Sequence, residues 1–205
     1  TGAYGGGYQK TISGNRMVTG SLAVFDISNP TAPQALGTYS LDHVAAYPKS
    51  VAVADQLAYL ATLDLQLLII DLEPKANLRR VGNFSTDGSS IGIAVSGTLA
   101  AVANTDWARR KRVQFIDITD PANPTFIGEF STRNVPSFVG MQGSRACVVE
   151  NWGSDPNQKA SLTVLDVSNP ALPSRLGSFQ TSGTVTAFAT SGDFDYAFLG
   201  HYEED

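Results

Sequence analysis

Cysteine and histidine are almost missing from this 205-residue chain. The lone Cys147 excludes an internal disulfide framework and any four-cysteine zinc site, and His43 and His201 leave little material for a histidine-rich metal centre. Charge is sparse at 16%, and its balance is acidic, with a net charge of -5 and a pI near 4.9, which argues against a general phosphate-binding surface. Apolar runs are short: the longest, around residues 65–72, falls well below the ~20 residues of a membrane-spanning helix. No stretch keeps a 3.6-residue apolar period over the ~11 residues a helix requires. These gaps predict a chain with almost no helix, no metal, no cofactor, no nucleic acid partner and no membrane insertion. The sequence opens without Met and without a basic-then-apolar leader, which leaves a processed chain, an excised domain and a fragment all open. What is plentiful is apolar material, 42%, together with 19 Gly and 10 Pro, enough for a packed core punctuated by turns.

The chain matches itself. Segments 21–40, 66–85, 112–131 and 161–180 align on Asp26, Asp71, Asp117 and Asp166, at steps of 45, 46 and 49 residues, and Gly37, Gly82, Gly128 and Gly177 keep the same steps. A second set, 50–62, 92–104, 138–150 and 186–201, consists of two short apolar runs around a turn containing Asp, Gly or Gln, which is a hairpin signal. With strands A and B in these hairpins, C ending at the repeated Asp and D carrying the repeated Gly, each unit holds four strands in about 45 residues. The C strands are apolar on consecutive positions, so both faces of each sheet need covering. Four-stranded antiparallel sheets packed face to face around an axis meet that demand, which predicts an all-β propeller. Ala58, Ala100, Ala146 and Ala197 share one B-strand column, as expected where neighbouring sheets approach closely.

The motif of an apolar strand, Asp, Ile or Val, Ser or Thr, Asn or Asp, Pro, two residues, Pro, then a strand ending in Leu or Ile, Gly, one residue and an aromatic, is seen best in 25–39, 116–130 and 165–179. It resembles the LVIVD-repeat family of bacterial and archaeal β-propellers. The second copy departs from it at Glu73-Pro74-Lys75. The resemblance implies a propeller, usually on an exported or cell-surface protein and usually with more than four blades, and it implies no particular activity.

The ends are in circularly permuted phase, which predicts one domain over 1–205 with repeats 44–88, 89–134 and 135–183 and a composite blade made of 184–205 plus 1–43. Closure of that blade gives a four-bladed ring; the other reading is a segment of a larger propeller.

The repeated aspartates read as turn residues that accept backbone N–H groups, the prolines as fixing φ in the C–D turn, the D-strand glycines as a bulge or close approach, and Cys147 as a buried apolar residue. Function then falls where repeats differ. From the last B-strand column to the first apolar C-strand residue the loops hold 4, 8 and 11 residues, and 25 in the composite blade. The candidate binding residues on that face are Trp107, Arg109, Arg110 and Arg112, Trp152 and Asp155, and Tyr4 and Tyr8. Tryptophan with arginine makes energetic anchors in protein interfaces, and an aromatic ring beside Asp or Asn also holds a sugar. The expected role is a non-enzymatic extracellular scaffold for a protein or glycan partner. Alternatives are a structural subunit that assembles with copies of itself, and a hydrolase or lyase at the axial mouth, for which His43, His201, Asp87, Asp106 and Asp155 are the available acids and bases. No nucleophile, base and orienter set is present, so no catalytic residue is assigned.

Overall fold

A strand with apolar side chains on consecutive positions needs a neighbour on each side, and the C strands of the second to fourth blades of the computed structural model have both. The structure describes residues 11–13, 16–18, 22–41, 48–74, 77–106, 110–151, 159–181 and 183–202, and these form eighteen strands and no helix. The first sheet holds β1 (Thr11–Ser13), β2 (Arg16–Val18), β3 (Ala23–Asp26) and β4 (Gln34–Thr38). The second holds β5 (Pro48–Ala54), β6 (Leu57–Thr62), β7 (Gln66–Asp71) and β8 (Arg79–Ser85). The third holds β9 (Ser89–Ser96), β10 (Leu99–Thr105), β11 (Lys111–Asp117) and β12 (Thr125–Ser131), and the fourth β13 (Val135–Gln142), β14 (Arg145–Asn151), β15 (Ser161–Asp166) and β16 (Ser174–Gln180). A fifth, two-stranded sheet is β17 (Thr184–Thr190) and β18 (Ala197–Tyr202). Every pairing is antiparallel between sequence neighbours, and β5, β9, β13 and β17 pack one beside the next, so the sheets are the blades of a β-propeller.

The two faces of each C strand divide the core. On β7, Leu68 and Ile70 pack with Leu22 and Val24 of the first blade, while Leu67 and Ile69 pack with Ile93 and Val102 of the third. On β11, Ile116 faces the second blade and Val113 and Phe115 face the fourth. The alanine column lies in these seams: Ala58, Ala100 and Ala146 are fully buried, each in the core it shares with the preceding blade. Cys147 is buried, and that burial pushes its thiol pKa up against the opposing pull of Arg145.

Both expectations for the D-strand glycines hold together. The C–D ladder shifts register at Leu36, Val81, Ile127 and Leu176, each immediately before the repeated glycine. The next blade's C–D turn then rests on that glycine. A Cβ on Gly82 would lie 1.9 Å from the Pro121 carbonyl oxygen, and one on Gly128 would lie 2.5 Å from that of Pro170. The turn that delivers this carbonyl is folded by the repeated Asp. The N–H groups of Ser28, Glu73, Thr119 and Ser168 donate to Oδ1 of Asp26, Asp71, Asp117 and Asp166 at 2.8, 2.9, 2.8 and 2.8 Å. In the divergent second copy, where Glu73-Pro74 is cis, Arg79 adds an ion pair to Asp71 at 2.9 Å.

The composite blade is corrected by the strand pairing. β3 is hydrogen-bonded to β2, with Arg16 opposite Asp26 and Val18 opposite Val24, and not to β18. The β1–β2 hairpin lies next to β3 in sequence, so its loop-closure cost is small and it takes the edge that the permuted phase assigned to the far end of the chain. The 25-residue loop of that composite blade is therefore absent as well. The outer edge of β18 has no strand beside it among the described residues. Leu176 and Phe179 on β16 and Phe198 on β18 are exposed, although Tyr59 and Ala101, the counterparts of Phe198, are buried, and a Cβ on Gly177 would meet nothing within 4 Å.

Two outcomes follow from this packing. Gly82→Ala and Gly128→Ala should each lower unfolding free energy by ~1–3 kcal/mol, as overpacking against backbone does, whereas Gly177→Ala should stay within ~0.5 kcal/mol; urea denaturation of the three variants checks the contrast. Hydrogen bonds from Glu73 to Asp71, from Thr119 to Asp117 and from Ser168 to Asp166 hold these carboxyls below the usual carboxylate range. Their contribution is therefore complete above a pH of about 4 and is lost as pH falls through the folded-state values. Replacing all three by Asn keeps the Oδ1 acceptor and removes the titration, so the acid slope of the melting temperature should flatten; an unchanged slope would refute this assignment.

Candidate functional site

Backbone and hydroxyl hydrogen bonds build the face formed by B–C loops and D–A connections from one repeated frame. The N–H of Thr86, Thr132 and Thr181, just after each D strand, donates to the carbonyls of Leu65, Lys111 and Ala160 at 2.9, 2.8 and 2.8 Å. Each threonine hydroxyl then donates two residues onward, to Gly88, Asn134 and Gly183 at 2.8, 2.8 and 3.0 Å. These threonines escape the sequence reading, although the signal is there: each stands four residues after a D-strand glycine, and Leu41 takes the place in the first copy.

The last B-strand column supplies a second layer. Asn104 Nδ2 donates to the Thr86 carbonyl at 3.3 Å and to Gln114 Oε1. Glu150, only 3% exposed, accepts the N–H groups of Arg133 and Asn134 on Oε2 at 2.8 and 3.0 Å and the Thr163 hydroxyl on Oε1 at 3.2 Å. A buried carboxylate with three donors is satisfied, and its role is to hold the 132–134 connection in place.

The third blade carries the charge. The N–H and Nε of Arg110 donate to Asp106 at 2.8 and 2.6 Å, while its side chain is 66% exposed. Burial by itself would raise the Asp106 pKa, but those hydrogen bonds and the charges of Arg110 and Arg112 outweigh it and the net shift is downward. Arg112, with a side chain 3% exposed, lies between two carboxylates, Nη1 at 3.6 Å from Asp106 and Nε at 3.4 Å from Glu129. Neither is a hydrogen bond, and Nε and Nη2 of Arg112 have no hydrogen-bond partner. Lys111 Nζ donates to the Arg133 carbonyl at 3.2 Å. Together Arg110, Lys111, Arg112, Glu129, Ser131, Thr132 and Arg133 line a depression of about 260 Å³.

The sequence candidates divide accordingly. Arg110 and Arg112 converge on this depression, the first at its exposed side and the second buried. Trp107, Arg109, Trp152, Asp155, Tyr4, Tyr8 and His43 lie outside the described residues. Of the acid–base candidates, Asp106 is engaged with Arg110 and Arg112, Asp87 takes a left-handed φ of 54° in a D–A connection, and His201 is exposed at the end of β18. Among the described residues no group of three or more His, Cys, Asp or Glu side chains is placed to hold a metal ion. A second depression of about 320 Å³ opens on the opposite face, where Thr98, Gly143, Asp117 and Pro170 belong to the repeat's own turns.

If the buried carboxylate positions the connection, Glu150→Gln should cost about 1–3 kcal/mol, because an amide nitrogen then faces backbone donors. Urea unfolding measures the loss. Hydrogen exchange should locate it at the Arg133 and Asn134 amides.

The LVIVD repeat pattern matches residues 17–40, 46–86, 87–132 and 157–181. Among solved structures, the computationally designed protein Ika8 is similar at 13% identity and a TM-score of 0.66, over 94% of this chain and 54% of that one. A protein from Lactobacillus plantarum is similar at 14% identity and a TM-score of 0.68, over 94% of this chain and 60% of that one. The chain thus spans a little over half the length of the solved structures it matches, and at these identities the likeness concerns the fold alone. No curated protein matches.

Proposed function

This chain belongs to the LVIVD-repeat family, and from that premise we propose that it is a non-enzymatic scaffold that works outside the cell and binds a protein or glycan partner through its B–C loop face. The observation that supports this is the contrast between the two faces. The C–D connections occupy 27–33, 72–78, 118–124 and 167–173, equal in length in all four complete blades, and the A–B turns of the second to fourth blades are 55–56, 97–98 and 143–144. The B–C loops of those three blades are 63–65, 106–110 and 152–160. A frame laced by the same threonine bonds in these three blades thus carries loops of different length, which is how a rigid scaffold varies its ligand without altering its core. Its placement outside the cell is supported by the family resemblance.

The test is a loop exchange. Residues 106–110 are replaced by 63–65, and the variant is compared with the wild type on a glycan array and for binding to exported proteins. The exchange should abolish retention while the β-sheet circular-dichroism signal is kept. Trp107→Ala or Trp152→Ala should weaken binding about thirtyfold, the usual effect of truncating an aromatic anchor. Retention unaffected by all three changes would place binding elsewhere.

A further inference from the structure

We infer that the depression on the third blade is a site for the acidic group of a sugar, a carboxylate or a sulfate ester; this rests on the reading of the B–C face as the ligand-bearing one. The first argument is charge. Arg110, Lys111, Arg112 and Arg133 line the depression with Glu129 as the one lining carboxylate, Asp106 lies against Arg110 and Arg112, and Glu150 lies behind the 132–134 wall, so four cations meet three anions in a protein whose net charge is -5. A local excess of this sign, set against the overall charge, attracts a single small anion and not an extended polyanion.

The second argument is that the buried positive charge is fixed and incompletely hydrogen-bonded. Arg112 is nearly fully buried and ion-paired with Asp106 at 3.6 Å and Glu129 at 3.4 Å, and its Nε and Nη2 have no hydrogen-bond partner. Its guanidinium is therefore a fixed, incompletely hydrogen-bonded cation at the floor, while Arg110 and Lys111 bring donors to the rim. The walls are held before any ligand arrives: Thr132 N–H and Lys111 Nζ tie the 132–134 connection to β11, and Glu150 ties it to β14. Preorganised donors lose little entropy on binding.

The third argument selects the ligand class. Every lining residue is polar or charged. A peptide partner needs an apolar or aromatic centre for its anchors, whereas a sugar acid offers hydroxyls around its carboxylate and matches a polar lining that includes Ser131 and Thr132. The Glu129 carboxylate can accept sugar hydroxyls, and it also opposes the oxyanion.

The experiment titrates the full chain with glucuronate, sulfate, glucose and N-acetyl-aspartate at constant ionic strength, followed by the amide signals of Thr132, Arg133 and Asn134 in NMR. Saturable shifts with glucuronate or sulfate and none with glucose are expected. Arg110→Gln and Lys111→Gln, both at the rim, should each weaken the oxyanion about tenfold, the scale of one charge-assisted hydrogen bond. Glu129→Gln should tighten it several-fold, a gain that a merely structural role for these residues does not produce. Absence of saturation, insensitivity to the rim variants, or N-acetyl-aspartate binding as tightly as glucuronate would each overturn the assignment. A glycan array that retains nothing while glucuronate still saturates would instead overturn the scaffold reading and leave the oxyanion site standing.

Discussion

One contact organises the propeller: the proline carbonyl of a C–D turn pressed on the D-strand glycine of the blade before it. Pro121 on Gly82 and Pro170 on Gly128 bring backbone so close that no side chain fits between. The rest of the repeat serves that approach. The Asp carboxylate folds the start of the turn by accepting the N–H two residues on, the bulge falls immediately before the glycine that the turn meets, and the column of fully buried alanines lines the B strand in the same seam. Once blades are set at that spacing, the alternating side chains of the C strand fill the two seams they face.

How much of this was readable depends on whether a residue is repeated and whether its partner is local. The aspartates, glycines and alanines recur at fixed offsets, and their roles follow from turn chemistry and the lack of a Cβ, so the sequence exposes both the fold and the reasons for it. The threonines 86, 132 and 181 recur as regularly, but their partners lie on the neighbouring strand connection, and a hydroxyl bonded across a loop leaves no periodic hydrophobic signal. Glu150 is harder still, because it occupies a column where each blade uses a different polar residue, Thr62, Asn104 or Glu150. The hairpin of β1 and β2 was hidden for another reason: two three-residue strands are too short to carry a pattern, and phase alone matched β3 to the other end of the chain.

The third-blade cluster shows the same division. A run of basic residues in an acidic chain reads from sequence as a solvated loop with two candidate arginines. The fold separates them, carrying Arg112 into the sheet while Arg110 stays in water, because β11 begins at Lys111: Arg110 lies in the loop before the strand and Arg112 lies inside it. The chemistry of the cluster is set by which arginine is buried, a property that depends on strand register and not on composition.

The seams between blades are unequal. The second and third blades share a core that includes Leu67, Ile69, Ile93, Val102 and Ile116, whereas among the described residues the fourth and fifth share Val149, Ala160 and Val185 as buried apolar residues. In an array where each unit touches only its neighbours, stability is a chain of nearest-neighbour couplings, and the weakest link opens first. The coupling between the fourth and fifth blades is thus weaker than that between the second and third, so β17 and β18 separate from β13–β16 at a lower free-energy cost than the second blade separates from the third.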